Sequence, residues 1–119
     1  MLKMKRAYDP PSSDDGTRVL VERLWPRGLT KERAGIDIWC REVAPSPELR
    51  KWYAHDASKW EAFKERYLGE LRDNPAVGRL KELSRSRTVT LVFATRDAEK
   101  SSARLLMDLL LKDADQAVL

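Results

Sequence analysis

The run Val89-Thr90-Leu91-Val92-Phe93-Ala94 constrains this chain more than any other stretch. It is almost continuously apolar and lacks the alternation of a strand with one wet face, so it predicts a strand buried in the core. Two weaker strand patterns precede it. Leu2 to Ala7 alternates charges with apolar residues, as an edge or half-buried strand does, and Arg18 to Trp25 resumes a strand pattern that Pro26 ends by removing a ladder donor. Between them, Asp9-Pro10-Pro11-Ser12-Ser13-Asp14-Asp15-Gly16 has no periodicity and is dense in turn formers.

Helices fill most of the remaining chain. Thr30 is placed to cap a short helix through Lys31, Glu32 and Arg33, and Ser46-Pro47-Glu48 is a helix start that buries Leu49, Trp52 and Tyr53. Ser58 to Glu61 fits a capping box ahead of Trp60, Phe63, Tyr67 and Leu71 at helical spacing. A further helix is expected from Ala76 to about Ser84, and a last one from about Ala98, with Leu105, Leu106, Leu109 and Leu110 on its face and a polar tail expected to fray. The order predicts an α/β fold, a single small domain over residues 1–119 with a mostly parallel three-stranded sheet packed with about four to five helices.

The 119 residues suit one domain, and 42% hydrophobic with 35% charged residues describes a globular chain with an ionised surface. A lone cysteine, Cys40, a lone histidine, His55, and the lack of an apolar leader or spanning run predict a cytoplasmic protein without a thiolate-rich or multi-histidine metal centre. The net charge of +4 is interspersed. That suits an anionic ligand, and it is also what an ordinary soluble surface carries.

In open parallel sheets, ligands gather outside the carboxyl ends of the strands. Three polar clusters follow the three expected strands: Tyr8-Asp9-Pro10, Trp25-Pro26-Arg27-Gly28 and Thr95-Arg96-Asp97. Arg27 and Arg96 are candidate anion ligands because a guanidinium grips phosphate or carboxylate in a fork; Gly28 admits a ligand to the backbone, and Tyr8 orients it. Arg23 and Asp97 complete the ligand-binding set. Asp9 and His55 are the candidate acid–base residues, and the Asp9 and Asp97 carboxylates also suit a hard cation such as magnesium.

Each has a structural alternative. The arginines can pair with Asp9, Asp97 or Glu22, Asp9 can serve a turn, Asp97 a helix cap, and His55 a helix end where Asp56 accepts its proton. Glu22 and Arg23 are adjacent charges in an apolar strand, so each must find its own partner. Cys40 reads as a small buried hydrophobe, and Trp25, Trp39, Trp52 and Trp60 as core residues rather than stacking platforms. No phosphate loop, dinucleotide fingerprint, nucleophile elbow or dithiol motif occurs.

Tyr8-Asp9-Pro10-Pro11-Ser12, Asp15-Gly16, Arg18-Val19-Leu20-Val21, Arg23-Leu24-Trp25-Pro26-Arg27-Gly28, Ala44-Pro45-Ser46, Glu48-Leu49-Arg50-Lys51-Trp52, His55-Asp56, Trp60 and Arg96-Asp97 together resemble the YeaO-like proteins, a branch of a broad bacterial domain-of-unknown-function family. The resemblance covers nearly the whole chain. It implies a cytoplasmic α/β protein and supplies no reaction or cofactor. Members of that family carry histidine and asparagine shortly after Arg-Asp, where this chain has Glu99-Lys100-Ser101-Ser102. The leading expectation is a small protein binding an anionic ligand at its strand ends. The alternatives are a nucleic-acid-binding accessory, whose affinity would depend steeply on salt, and a protein-interaction module using an exposed face of the last helix.

Overall fold

In the computed structural model of the chain, residues 1–118 are described, with side chains through Lys112. Most of the polar tail expected to fray therefore lies outside the described side chains. The buried apolar run forms β4 (Val89–Phe93), every residue of which is buried. It lies between β1 (Leu2–Arg6) and β2 (Thr17–Leu20), and a two-residue β3 (Ile38–Trp39) completes the order β1-β4-β2-β3. All three pairings are parallel, with Met4 and Val19 flanking Leu91. The sheet thus has four strands where three were expected. β3 escapes a pattern reading because two residues carry no period, and ladder bonds at its borders place it: Asp37 N–H to Arg18 O and Cys40 N–H to Leu20 O, at 2.9 and 2.8 Å.

Alternation sorts the strands' side chains to two unlike faces. Val19, Val21, Val89, Leu91 and Phe93 meet the main core, with Leu2 and Met4 at its border. Over that face lie α2 (Pro47–Tyr53), α3 (Trp60–Leu71), α4 (Pro75–Ser86) and α5 (Ser102–Val118), which bury Leu49, Tyr67, Leu80 and Leu106 among others. The second face is thinner. Ala7, Leu20 and Val92 are covered there by Trp25, Leu29, Ile36 and Trp39, from the segment that carries α1 (Lys31–Ala34).

Beside that smaller core, Asp15 accepts from Arg18 Nη1 at 2.7 Å and Lys5 Nζ at 3.1 Å, and Arg18 also donates twice to Ala34 O. Burial opposes ionisation of Asp15. The Ser12 amide, Arg18 and Lys5 outweigh it and hold the carboxyl below its usual range.

Several local boundaries move for identifiable reasons. β2 was expected to reach Trp25 but ends at Leu20; Val21 N–H still bonds Val92 O, after which the Glu22 side chain takes over the Ala94 amide. Ser58 does not open a capping box. Asp56 caps a single 3-10 turn over Ala57–Lys59 instead, accepting from Ser58 N–H at 3.0 Å, before α3 begins. α5 begins at Ser102 rather than Ala98, because Asp97 closes a separate turn onto the Glu99 and Lys100 amides and Ser101 Oγ then accepts from Arg104 N–H. No helix is long and apolar enough to cross a membrane among the described residues.

Gly16 is where the first connection meets the last strand. Its φ is +63°, and a Cβ would lie 2.2 Å from the Thr88 carbonyl oxygen, which must stay in place to accept from Thr17 N–H. Neither backbone can retreat without opening the β2–β4 pairing. Gly16→Ala should therefore destabilise by roughly 3 kcal/mol or more, read from urea denaturation; a loss below about 1 kcal/mol would show that this junction yields.

Candidate functional site

A cleft of about 690 Å³ opens where β2 and β4 end. The chain leaving β2 covers the second face of the sheet, whereas α5, which follows β4, covers the first. Two neighbouring parallel strands whose continuations part in this way leave a crevice between them. Glu22 lies at that fork, and its Oε1 accepts the Ala94 N–H at 3.0 Å. Burial pushes its carboxyl above the ordinary value, against the opposing pull of the Ala94 amide and the Arg50 charge.

The opposite wall belongs to α2 and the start of α3. Ser46 caps α2 by accepting Leu49 N–H at 3.1 Å, and its own amide donates to Glu70 of α3 at 2.9 Å, which ties the two helices together. Trp52 strengthens the tie on the side away from the cleft. Arg66 sits over its ring at 4.0 Å, and Lys59 donates to its carbonyl. Fixed this way, α2 presents Tyr53 to the cleft beside Phe63 and Trp60 of α3, with centroids 4.5 Å apart for Tyr53–Phe63 and 5.6 Å for Trp60–Phe63.

Past α2 the backbone turns through Ala54 and His55, both with positive φ, 45° and 59°. Side chains other than glycine rarely accept that region, so the turn that brings His55 to the cleft wall is strained. Arg50, Lys51 and Lys100 are exposed cations around the opening, against which stand the carboxylates of Glu22, Glu48 and Asp97. The lining is therefore of mixed charge. A ligand that suits it carries an anion and hydrogen-bond donors together.

The residues singled out from sequence fall into two groups. Asp97 and His55 line the cleft; Asp97 Oδ1 accepts from the Glu99 and Lys100 amides, and Asp56 binds Ser58 rather than His55. Tyr8, Asp9, Arg27, Gly28 and Arg96 are exposed and lie outside the lining. Tyr8 and Arg27 do meet: the phenol donates to the Arg27 carbonyl at 3.0 Å, so the guanidinium itself is not the contact. Gly28 has φ 81° with open space around it, and Asp9 Oδ2 accepts the Arg6 amide as a turn residue.

Arg23 holds the wall from behind, donating to the carbonyls of Ala44 and Pro45 at 3.3 and 3.2 Å. Cys40 is buried, and burial with the neighbouring Glu42 pushes its thiol up to about 11, leaving it a neutral core residue. Among the described residues no group of three or more His, Cys, Asp or Glu side chains could hold a metal ion.

Three features of the cleft were not assigned to a site from sequence. Arg50 and Lys51 sit between the apolar positions of α2, and Lys100 falls in the first turn of the last helix as expected from about Ala98, whereas α5 begins only at Ser102. Tyr53 and Trp60 read as core and are in fact half-buried, packed on the core by one side and open to the cleft by another. Glu22 did leave a signal, as a charge in an apolar strand without a partner nearby in sequence.

Comparison with known proteins places the chain among relatives of similar size. Residues 1–118 match the family described as the inactive DUF488-N3 subclade. An uncharacterised protein of Mycobacterium tuberculosis is 43% identical over 109 residues, covering 92% of each chain. The uncharacterised protein YeaO of Escherichia coli is 37% identical over 108 residues, covering 90% of this chain and 94% of its own. No solved structure matches.

Glu22 gives the site a signature in stability. Its folded carboxyl titrates above the unfolded one, so its contribution is fully favourable in acid, below the unfolded value near 4.5, and is lost as pH rises through the folded value. Glu22→Gln keeps an oxygen for the Ala94 amide and removes the charge. The variant should be more stable than the parent at pH 7, with the difference vanishing below about pH 4; denaturation curves at both pH values measure it, and a less stable variant at neutral pH would contradict the assignment.

Proposed function

This chain belongs to the inactive DUF488-N3 subclade, and from that premise we propose that it is a binding protein without a reaction of its own. Its ligand is small, with a flat apolar body and an anionic group, and it enters the cleft beyond β2 and β4. The observation that carries this reading is the pairing of a continuous aromatic wall with exposed cations at the point where the two parallel strands diverge. Rings of Tyr53, Phe63 and Trp60 take the flat body, and Arg50, Lys51 and Lys100 take the anion.

The absence of a shared site for Asp9 and His55 supports binding over proton transfer. Asp9 lies outside the lining with its Oδ2 on the Arg6 amide, and Asp97, the carboxylate that does line the cleft with His55, engages two amides through Oδ1. Arg27 and Arg96, expected to grip the anion, yield that role in this reading to the cations of α2 and the segment before α5. A cytoplasmic setting, where phosphorylated and carboxylated metabolites abound, fits the same proposal.

Phenyl phosphate is the simplest probe, since it joins a flat ring to an anion. It should bind tighter than inorganic phosphate by about tenfold, the ring supplying roughly 1.4 kcal/mol. Lys51→Ala and Arg50→Ala should each weaken it by a factor on the order of 10, while Arg27→Ala and Arg96→Ala leave it within about twofold. Loss of binding on replacing Arg27 or Arg96, with no effect at positions 50 and 51, would move the site back to the exposed cluster around Tyr8 and Arg27.

A further inference from the structure

What the cleft leaves unused specifies its ligand further. Glu22 commits Oε1 to the Ala94 amide, and Oε2 has no hydrogen-bond partner among the described residues. An ionised carboxylate only accepts, so a half-buried oxygen facing a cleft calls for an N–H or O–H donor on whatever enters. The floor thus asks for a donor, the wall for a planar ring and the rim for an anion. Three carboxylates against three cations also make the lining a poor trap for a bare anion.

We propose that the cleft takes a guanine-type nucleoside monophosphate. The ring N–H and exocyclic amino group along one edge of the base donate to Glu22 at the strand ends. The base lies on Tyr53 and Trp60, and the phosphate reaches Arg50, Lys51 and Lys100 at the opening. Adenine presents a ring acceptor at the corresponding position, which a carboxylate repels, so the same contact discriminates between the two purines.

The proposal rests on the binding reading above and adds the donor requirement to it. A cleft of about 690 Å³ falls within the range that holds ligands of this size. The missing phosphate loop is no obstacle. Glycine-rich loops cradle the phosphates of triphosphates and dinucleotides with backbone amides, whereas a terminal monophosphate can be held by side-chain cations alone.

The test is calorimetric titration of the full chain with guanosine 5′-monophosphate, adenosine 5′-monophosphate and phenyl phosphate. The guanine nucleotide should bind at least about tenfold tighter than the adenine nucleotide, the difference expected of one charge-assisted contact. Glu22→Gln should bring that ratio close to one while binding phenyl phosphate at least as well as the parent does. Should that variant not fold, Glu22→Asp, which withdraws the carboxylate but keeps its charge, reads the same ratio.

Equal affinity for the two nucleotides with phenyl phosphate still bound overturns the base assignment and leaves the binding reading standing. A guanine preference that survives both substitutions overturns the role of Glu22. No binding of any of the three overturns both readings.

Discussion

The structure turns on β4 arriving last and lying in the middle. β1 and β2 are both complete within the first 20 residues, yet they do not pair with each other; each presents its inward edge to a strand that is made some 70 residues later. Until β4 inserts, both edges are unpaired and the valines and leucines of the sheet have no common core. Its insertion is locked at the lower end by Gly16 against Thr88 and by the Thr90 hydroxyl donating to the Asp15 carbonyl at 2.7 Å. At the upper end the lock is the Glu22 carboxylate on the Ala94 amide.

That last contact joins fold to site. A backbone N–H at the end of a strand needs an acceptor, and in a longer β2 the ladder would have supplied it. Here β2 stops at Leu20 and a side chain substitutes, which places a carboxylate at the point where the continuations of two neighbouring strands separate. The chain needs the acceptor, but it does not need the charge: glutamine would serve the amide as well. An ionised group in a position that burial penalises is a cost to stability.

Much of this was legible in the residues. The apolar run named β4 and its burial, the caps at Thr30 and Ser46 named α1 and α2, and the rule about strand ends named the end of the sheet where the cleft opens. What could not be read was the consequence of β4's position. Leu24 and Trp25 look like the continuation of a buried strand, but β2 ends at Leu20 and the chain bends at Arg23 and Leu24, which leaves Leu24 66% exposed. β3 is too short to have a pattern. The cleft wall is tertiary: Arg50 and Lys51 are ordinary solvent-face residues of a helix until the segment between β4 and α5 comes to face them.

The arginines illustrate the limit of reasoning from residue type alone. Arg18, which was not a candidate ligand, is 3% exposed and carries the ionic network under the second face, while Arg23 holds the carbonyls ahead of α2. Arg27 and Arg96, the more prominent in sequence, are exposed and lie outside the cleft lining. A guanidinium becomes a ligand or a structural tie according to what the fold sets opposite it, and here the fold sets carbonyls and a carboxylate opposite two of the four. The strain at Ala54 and His55 is a different kind of sign. Ala54 takes the left-handed conformation as the C-cap of α2, its N–H on the Arg50 carbonyl, and His55 follows it in the same region at the cleft wall. The carboxylate that burial penalises and the two residues of positive φ thus come together on one cleft, at the strand ends where the continuations of β2 and β4 part.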